Sequence, residues 1–456
     1  MLSSRPISFL RRANGSFALI RNHFKIQKLY ASTYLKGQES EQINNTIGYF
    51  LSQNARQMPY ANALKCTHQN VNWSFSTLKK HAEALACGLT ELGLRPGDRL
   101  ALIQGMNTEL IVAFLACAKI GAVLVPLPEI KAAKDLTRFI ELVRPRVVVS
   151  ATKIGTKNYY KMIREVVPEL SLSELHLPFK SKKFPFCKQI LFTDMKEKPK
   201  EGTYQLKDYL VYGPFGYYET PLRRIAMELD STNPGLILFN DKNPDKASSA
   251  VYSHKNVLNA GLTIAKALGL KQGDRVMVPK YSTSPTGSIM GNFSAFVSGG
   301  VIVYPAEEFS ASNTLSLLTK EQCTTLFTEP QDLEELLNHA DFSKNTYENL
   351  KHVVVCTPLG FDSSTVVGLL GQKLPQVKSY VVSGLEETSG ILTINGKLVD
   401  NTEVKVVDGS LQVKGPLVAT GKWQDIGHVG YETYEDGWVD TKFQRAKIEG
   451  NSLIIA

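Results

Sequence analysis

The chain has 456 residues, 43% hydrophobic and 21% charged, enough apolar material for a core shared by two or three packed units. Its net charge of +9 is concentrated: Arg5, Arg11, Arg12, Arg21, Lys25, Lys28 and Lys36 all precede the first acid, Glu39, and removing those seven leaves +2 for the body. A nearly neutral body gives no footprint for nucleic acid, and six scattered cysteines without a CxxC pair give neither a disulfide framework nor a zinc site.

Residues 1–36 are basic and acid-free, with Ile7, Phe9 and Leu10 set among arginines, which is the composition of a mitochondrial transit segment. Arg11, Arg12 and Arg21 interrupt every apolar stretch that a secretory signal would need. The expected location is therefore mitochondrial, in the matrix or on the matrix side of the inner membrane. The most apolar run, 110–128, contains Lys119 and Gly121 and two prolines, so it reads as a buried helix and strand, not a membrane span.

Ser76 is positioned to cap a helix carrying Leu78, Ala82, Leu85 and Leu89 on one face. A turn at Arg95–Asp98 leads to a short buried strand at 100–103, then a helix at about 108–120 and strands at 122–128 and 146–150. Residues 151–225 carry little period. Strand patterns return at 235–239, 275–278, 301–304, 323–327, 352–356 and 378–382, with helical patterns between them. Beyond 390, Asn395-Gly396 and Asp408-Gly409 mark hairpins. The pattern predicts an α/β fold of two doubly wound, mostly parallel sheets packed together, with a small β subdomain near the C-terminus. The corresponding divisions are a transit-like segment 1–36, a large α/β domain 37–390 and a small β subdomain 391–456.

Several blocks, in order, resemble the adenylate-forming family of acyl-CoA synthetases, luciferases and adenylation domains. They are Leu92–Arg99, Phe114–Ala122 with Val125-Pro126-Leu127, Ser253-His254-Lys255-Asn256, Gly409–Pro416 with Gly421 and Trp423, and Asp436-Gly437-Trp438. The resemblance implies a chemistry that joins a carboxylate to the α-phosphate of ATP and passes the acyl group to a thiol. Such chemistry needs a glycine-rich loop whose N–H groups approach phosphate. The positions matching that loop are Phe239, Asn240, Asp241, Lys242, Asn243, Pro244, Asp245, Lys246, Ala247, Ser248 and Ser249, which contain no glycine. Pro244 lacks a donor, and Asp241 and Asp245 place carboxylates where phosphates would lie.

The resemblance carries the later motifs onto Ser383, Glu386 and Glu387, where an aromatic, a threonine and a metal-holding glutamate would be matched, and onto Phe443 in place of a ribose-binding aspartate. It also implies that the family's C-terminal domain is absent. From these departures the expectation is a pseudoenzyme with no catalytic residue, cofactor or metal. It would serve as a structural or accessory subunit of a mitochondrial assembly such as a respiratory complex, the ATP synthase or the mitoribosome. Its partners would be other mitochondrial proteins, with membrane association only through them and no nucleic-acid contact. Two alternatives stand beside it: an acyl or acyl-CoA binding regulator without ATP chemistry, with Tyr281–Gly287 at the acyl pocket, and a divergent acyl-CoA ligase.

Overall fold

The computed structural model describes residues 34–172, 180–193, 204–213, 219–241, 243–245, 247–280, 282–423 and 431–455. The transit-like segment lies outside the described residues up to residue 33. Its last three positions, Tyr34–Lys36, form a strand paired antiparallel with Glu403–Val407.

Among the described residues, the strands form two nine-stranded sheets, one four-stranded sheet and two short hairpins. The first large sheet runs Tyr204–Gln205, Gln189–Phe192, Val147–Ser150, Arg99–Ile103, Val123–Pro126, Pro234–Phe239, Ser249–Ser253, Gly421–Trp423 and Tyr431–Thr433. The second runs Lys397–Leu398, Thr393–Ile394, Lys378–Gly384, His352–Pro358, Thr325–Thr328, Arg275–Met277, Val301–Tyr304, Asn62–Cys66 and Val71–Ser74. The central pairs of both are parallel, while Ser249–Ser253 returns antiparallel against Pro234–Phe239. This is the expected α/β fold.

The apolar runs become strands because both faces of each sheet are covered. Leu100, Leu102, Leu124 and Leu236 turn into a shared central core, and Ala101, Ile103, Val123, Val125 and Ile237 turn outward onto Ala133–Val143 and Tyr159–Val166. The second sheet alternates in the same way. Val276, Ile302 and Val354 join the central core, and Met277, Val301 and Val353 pack under the helices Ala311–Lys320, Pro330–Asn338 and Ser364–Lys373. A strand buried on both sides cannot alternate polar with apolar, which is why these segments read as continuous apolar stretches. The helices Phe75–Glu91, Thr108–Ile120 and His254–Leu268 fill the layer between the sheets.

Local signals fix the helix ends. The first of these helices begins one turn's fraction earlier than expected: Ser74, not Ser76, accepts from the N–H of Thr77 at 3.2 Å. Ser253 caps the helix His254–Leu268, accepting from Asn256 N–H at 3.1 Å. The hairpin turns at Asn395-Gly396 and Asp408-Gly409 all have positive φ, between 49° and 79°, as tight hairpins require. Residues 391–456 do not form one separate unit. Thr393–Ile394 and Lys397–Leu398 extend the second large sheet, Gly421–Trp423 and Tyr431–Thr433 extend the first, and Glu403–Val407, Ser410–Lys414 and Val439–Asp440 form the small sheet with the N-terminal strand. The switch of sheets is tertiary and leaves no local trace in the hairpin pattern. All six cysteines are buried and free.

Candidate functional site

The parallel strands of both large sheets end on one cleft, the position where open α/β sheets place ligands. One compartment, about 770 Å³, is reached from Ile103, Leu127 and Phe239 on the first sheet and from Lys280, Glu307 and Glu329 on the second. A second, about 520 Å³, has a more apolar lining that includes Pro285, Met290, Pro330, Cys356, Pro358 and Phe361. Asn240, Ser284, Glu329 and Glu386 border both, so the two compartments meet at a neck.

The second compartment depends on an irregular helix. Thr286–Gly291 is wound as a π-helix that runs into Asn292–Ser298, and all six of its residues are buried. A π turn shifts the side chains that follow it relative to an α-helix, and such turns occur often at functional sites. Here it sets Thr286 and Met290 against the cavity. Gly291 meets Val278 so closely that an added Cβ would lie 2.7 Å from a valine methyl.

The neck is built by the turn after Lys378–Gly384. Leu385 N–H donates to Thr388 Oγ1 at 3.0 Å, and Ser389 Oγ donates to Leu417 O at 2.6 Å. The Tyr252 hydroxyl, wholly buried, donates to the Glu386 carbonyl at 2.6 Å. Glu387 lies 3.7 Å from Lys422. Burial, then the neighbouring Glu387, raises the Glu386 carboxyl to about 8. Burial and Asp332 also raise Glu329, whose carboxylate faces the Thr286 hydroxyl at 3.5 Å. Ser383 and Thr357 share a hydrogen bond of 2.8 Å behind this turn.

The loop matched to the phosphate loop connects Pro234–Phe239 to Ser249–Ser253 and closes on itself. Asn243 N–H donates to Asp241 Oδ1 at 2.9 Å, Asp245 N–H to Asn243 Oδ1 at 3.0 Å, and Ser248 N–H to Asn240 Oδ1 at 2.8 Å. Asn240 N–H donates to Ser248 O, and Ala247 N–H to Asn243 O. Asp245 pairs with Arg138 at 3.3 Å; Lys242 and Lys246 lie outside the described residues. Ser249 belongs to the strand, where its hydroxyl bonds the backbone of Trp423. Five N–H groups are thus already satisfied and Pro244 has none, so this loop, as folded, does not fit a triphosphate in the manner of a glycine-rich cradle.

The structure brings Asn240, Asp241, Glu386 and Glu387 to the cleft and leaves Asn243, Pro244 and Asp245 out of its lining, with Pro244 buried and the other two exposed. Phe443 packs behind the 358–361 loop, against Gly360. Tyr281 lies outside the described residues, while Ser284, Pro285 and Thr286 do line the second compartment. Tyr159 is 3% exposed and contributes to the cleft. The sequence reading passed over Gln104, Lys280, Glu307, Glu308 and Glu329. Each stands just past the end of a buried strand, and that position is the one signal that could have flagged them.

Comparison with known proteins follows the same geometry. Residues 51–210 match the family described as AMP-binding enzyme. The mitochondrial medium-chain acyl-CoA ligase ACSF2 of Mus musculus is 24% identical over 439 residues, covering 90% of this chain and 70% of that protein. The putative acyl-CoA synthetase YngI of Bacillus subtilis is 24% identical over 428 residues, covering 88% and 76%. Among solved structures, a putative long-chain-fatty-acid CoA ligase from Rhodopseudomonas palustris superposes with a TM-score of 0.73 at 20% identity, over 91% of this chain and 99% of that one. The N-terminal domain of FACL13 from Mycobacterium tuberculosis superposes with a TM-score of 0.72 at 18% identity, over 90% and 99%. Relatives named as ligases and synthetases along nine-tenths of the chain overturn the expectation of a non-catalytic structural subunit. That expectation read the changed loop, the altered residues at 383–387 and Phe443 and the lack of a C-terminal domain as loss of the chemistry, although departures from a motif speak only for one way of holding the nucleotide. Residues 51–210 are thus similar to the AMP-binding enzyme family, and nine-tenths of the chain is similar to proteins named as acyl-CoA ligases and synthetases.

Proposed function

We propose that this protein is a mitochondrial acyl-CoA ligase with a divergent nucleotide loop, acting on a carboxylic acid with an apolar chain of medium length. The observation that carries the reading is the two-compartment cleft at the strand ends: an apolar compartment of about 520 Å³ opens through a polar neck into one of about 770 Å³. An apolar chain in the first would leave water at about 25 cal/mol per Å² buried, and the neck would hold its carboxyl end toward the larger space. The residues of the 240–248 loop do not support a step through a cradled triphosphate, so none is assigned to them. The mitochondrial part of the reading is supported by the basic, acid-free segment 1–36 and by the names of the ACSF2 relatives.

The test is direct. Purified protein incubated with octanoate, coenzyme A and magnesium ATP is expected to yield octanoyl-CoA, detected by mass spectrometry, and to catalyse octanoate-dependent exchange of pyrophosphate into ATP. A folded protein that gives neither with a panel of short-, medium- and long-chain acids overturns the reading. For location, a reporter fused to residues 1–36 is expected to enter mitochondria, and a cytosolic reporter would overturn that part alone.

A further inference from the structure

We propose that Phe361 is the outer rim of the acyl site and sets its chain-length preference, favouring straight-chain acids long enough to cover its ring. The inference rests on the ligase reading and names the residue that selects among its substrates.

Phe361 is 48% exposed and borders the apolar compartment. Among the described residues, the other large apolar side chains left exposed, such as Tyr60, Tyr212 and Met227, border neither compartment. An aromatic ring open to water at the edge of an apolar cavity is surface that an apolar ligand covers favourably. The ring does not sit on a slack loop. It follows the strand His352–Pro358, where Leu359 N–H donates to Gly384 O at 3.0 Å and Phe361 N–H donates to Pro358 O at 3.2 Å. Gly360 makes the reversal at φ 78°, and a Cβ there would meet the Phe443 ring at 3.3 Å and an Ile455 methyl at 3.4 Å. On the other flank, Asp362 Oδ1 accepts from Ser364 N–H at 2.9 Å, where Ser364–Lys373 begins. Both flanks are fixed, so Phe361 keeps its place at the mouth.

The compartment cannot lengthen inward. Pro285, Met290 and Gly390 meet in its wall: a Cβ on Gly390 would lie 2.9 Å from Pro285 and 3.0 Å from the Met290 methyl. Met290 is 1% exposed and belongs to the central core, so no further methylene passes it. A chain held by its polar end at the neck therefore lengthens toward the mouth, where Pro358 and Phe361 are both exposed. Each methylene that leaves water there strengthens binding about fourfold. The gain ends where the apolar surface ends, and Phe361 supplies its last stretch.

The experiment is calorimetric titration of the full chain with butanoate, octanoate and dodecanoate. Wild-type affinity is expected to rise along the series. In Phe361→Ala the ratio of dodecanoate to butanoate affinity should fall about tenfold, matching the burial of about half a phenylalanine side chain. Phe361→Leu restores apolar area and should recover most of that ratio. Near-ultraviolet circular dichroism establishes that each variant is folded. A ratio left unchanged in Phe361→Ala, or one that Phe361→Leu does not recover, overturns the role of Phe361 and leaves the ligase reading standing. Wild-type protein that binds none of the three acids overturns both.

Discussion

The loop 240–248 and the turn 384–390 both follow central strands and both face the cleft, yet they handle their polar groups in opposite ways. The loop spends its side chains on its own backbone: Asp241, Asn243 and Asn240 each accept an N–H from the same short segment. The turn also bonds within itself, Leu385 N–H to Thr388 Oγ1, but it is tied from outside as well, by Tyr252, Ala419 and Leu417, and leaves the Glu386 carboxyl uncommitted. A segment stabilised by its own side chains tolerates change around it and presents little to a ligand. A segment stabilised by its surroundings is rigid and can aim a side chain. The larger effects of mutation should therefore fall on the turn.

The largest is expected at Gly384. A Cβ there would lie 2.4 Å from the backbone of Gly390 and 2.5 Å from Ile391 N, and neither strand end nor turn can give way without losing the bonds just named. Gly384→Ala should cost about 3 kcal/mol by chemical denaturation. A loss under about 0.5 kcal/mol would show that the turn is soft and that the comparison fails.

Next comes the pH dependence of stability at Glu386. Its folded-state value of about 8 stands above the ordinary carboxyl value of 4.5, so the folded chain binds the extra proton between those limits. Stability of the wild type then falls as pH rises from 4.5 toward 8, and the loss is complete above 8. Glu386→Gln removes that loss. It should be more stable than wild type by about 2 kcal/mol at pH 8 and no more stable near pH 4. An equal gain at both ends would mean that packing, not ionisation, governs this side chain.

Tyr252→Phe should have a smaller effect, about 1 kcal/mol, because it removes one buried hydrogen bond and keeps the ring. The more telling readout is mobility. Amide exchange at residues 385–390 should speed up while that in Ser249–Ser253 stays slow, and uniform acceleration would mean that the turn has no separate anchor.

These contrasts also separate what a reader of the sequence could see. Buried strands such as Val147–Ser150 and Val353–Val355 announce themselves because both faces are apolar, and Ser253 with Asn256 announces a helix start because capping is local. The loss of glycine between 239 and 249 was equally legible. The neck was legible only in part. The resemblance marked Glu386 and the 281–287 segment that holds Ser284, but nothing in the neighbourhood of Glu329 distinguishes it from a surface polar residue until two sheets bring their strand ends together. Tyr252 reads as one more apolar strand residue, and its partner carbonyl is 134 positions away. The division of 391–456 among three sheets was hidden for the same reason: hairpin signals fix turns but do not say which edge a strand joins.

The smallest effect should come from the ion pair that ties the loop to the neighbouring helix. Arg138 and Asp245 are 44% and 74% exposed, and their 3.3 Å contact lies in water, where such pairs contribute about 0–1 kcal/mol and less in salt. Arg138→Ala should therefore shift stability by under about 0.5 kcal/mol. Asp241→Ala should do more, because it strips an acceptor from the N–H of Asn243 and opens the first of the three side-chain bonds that close the loop. The order of the two variants is the decisive result. If Arg138→Ala costs more, the loop is held by the helix beside it and belongs to the same class as the turn. If Asp241→Ala costs more and faster amide exchange stays within 240–248, the loop is a self-closed unit, and its hydrogen-bonding capacity is spent before any phosphate arrives.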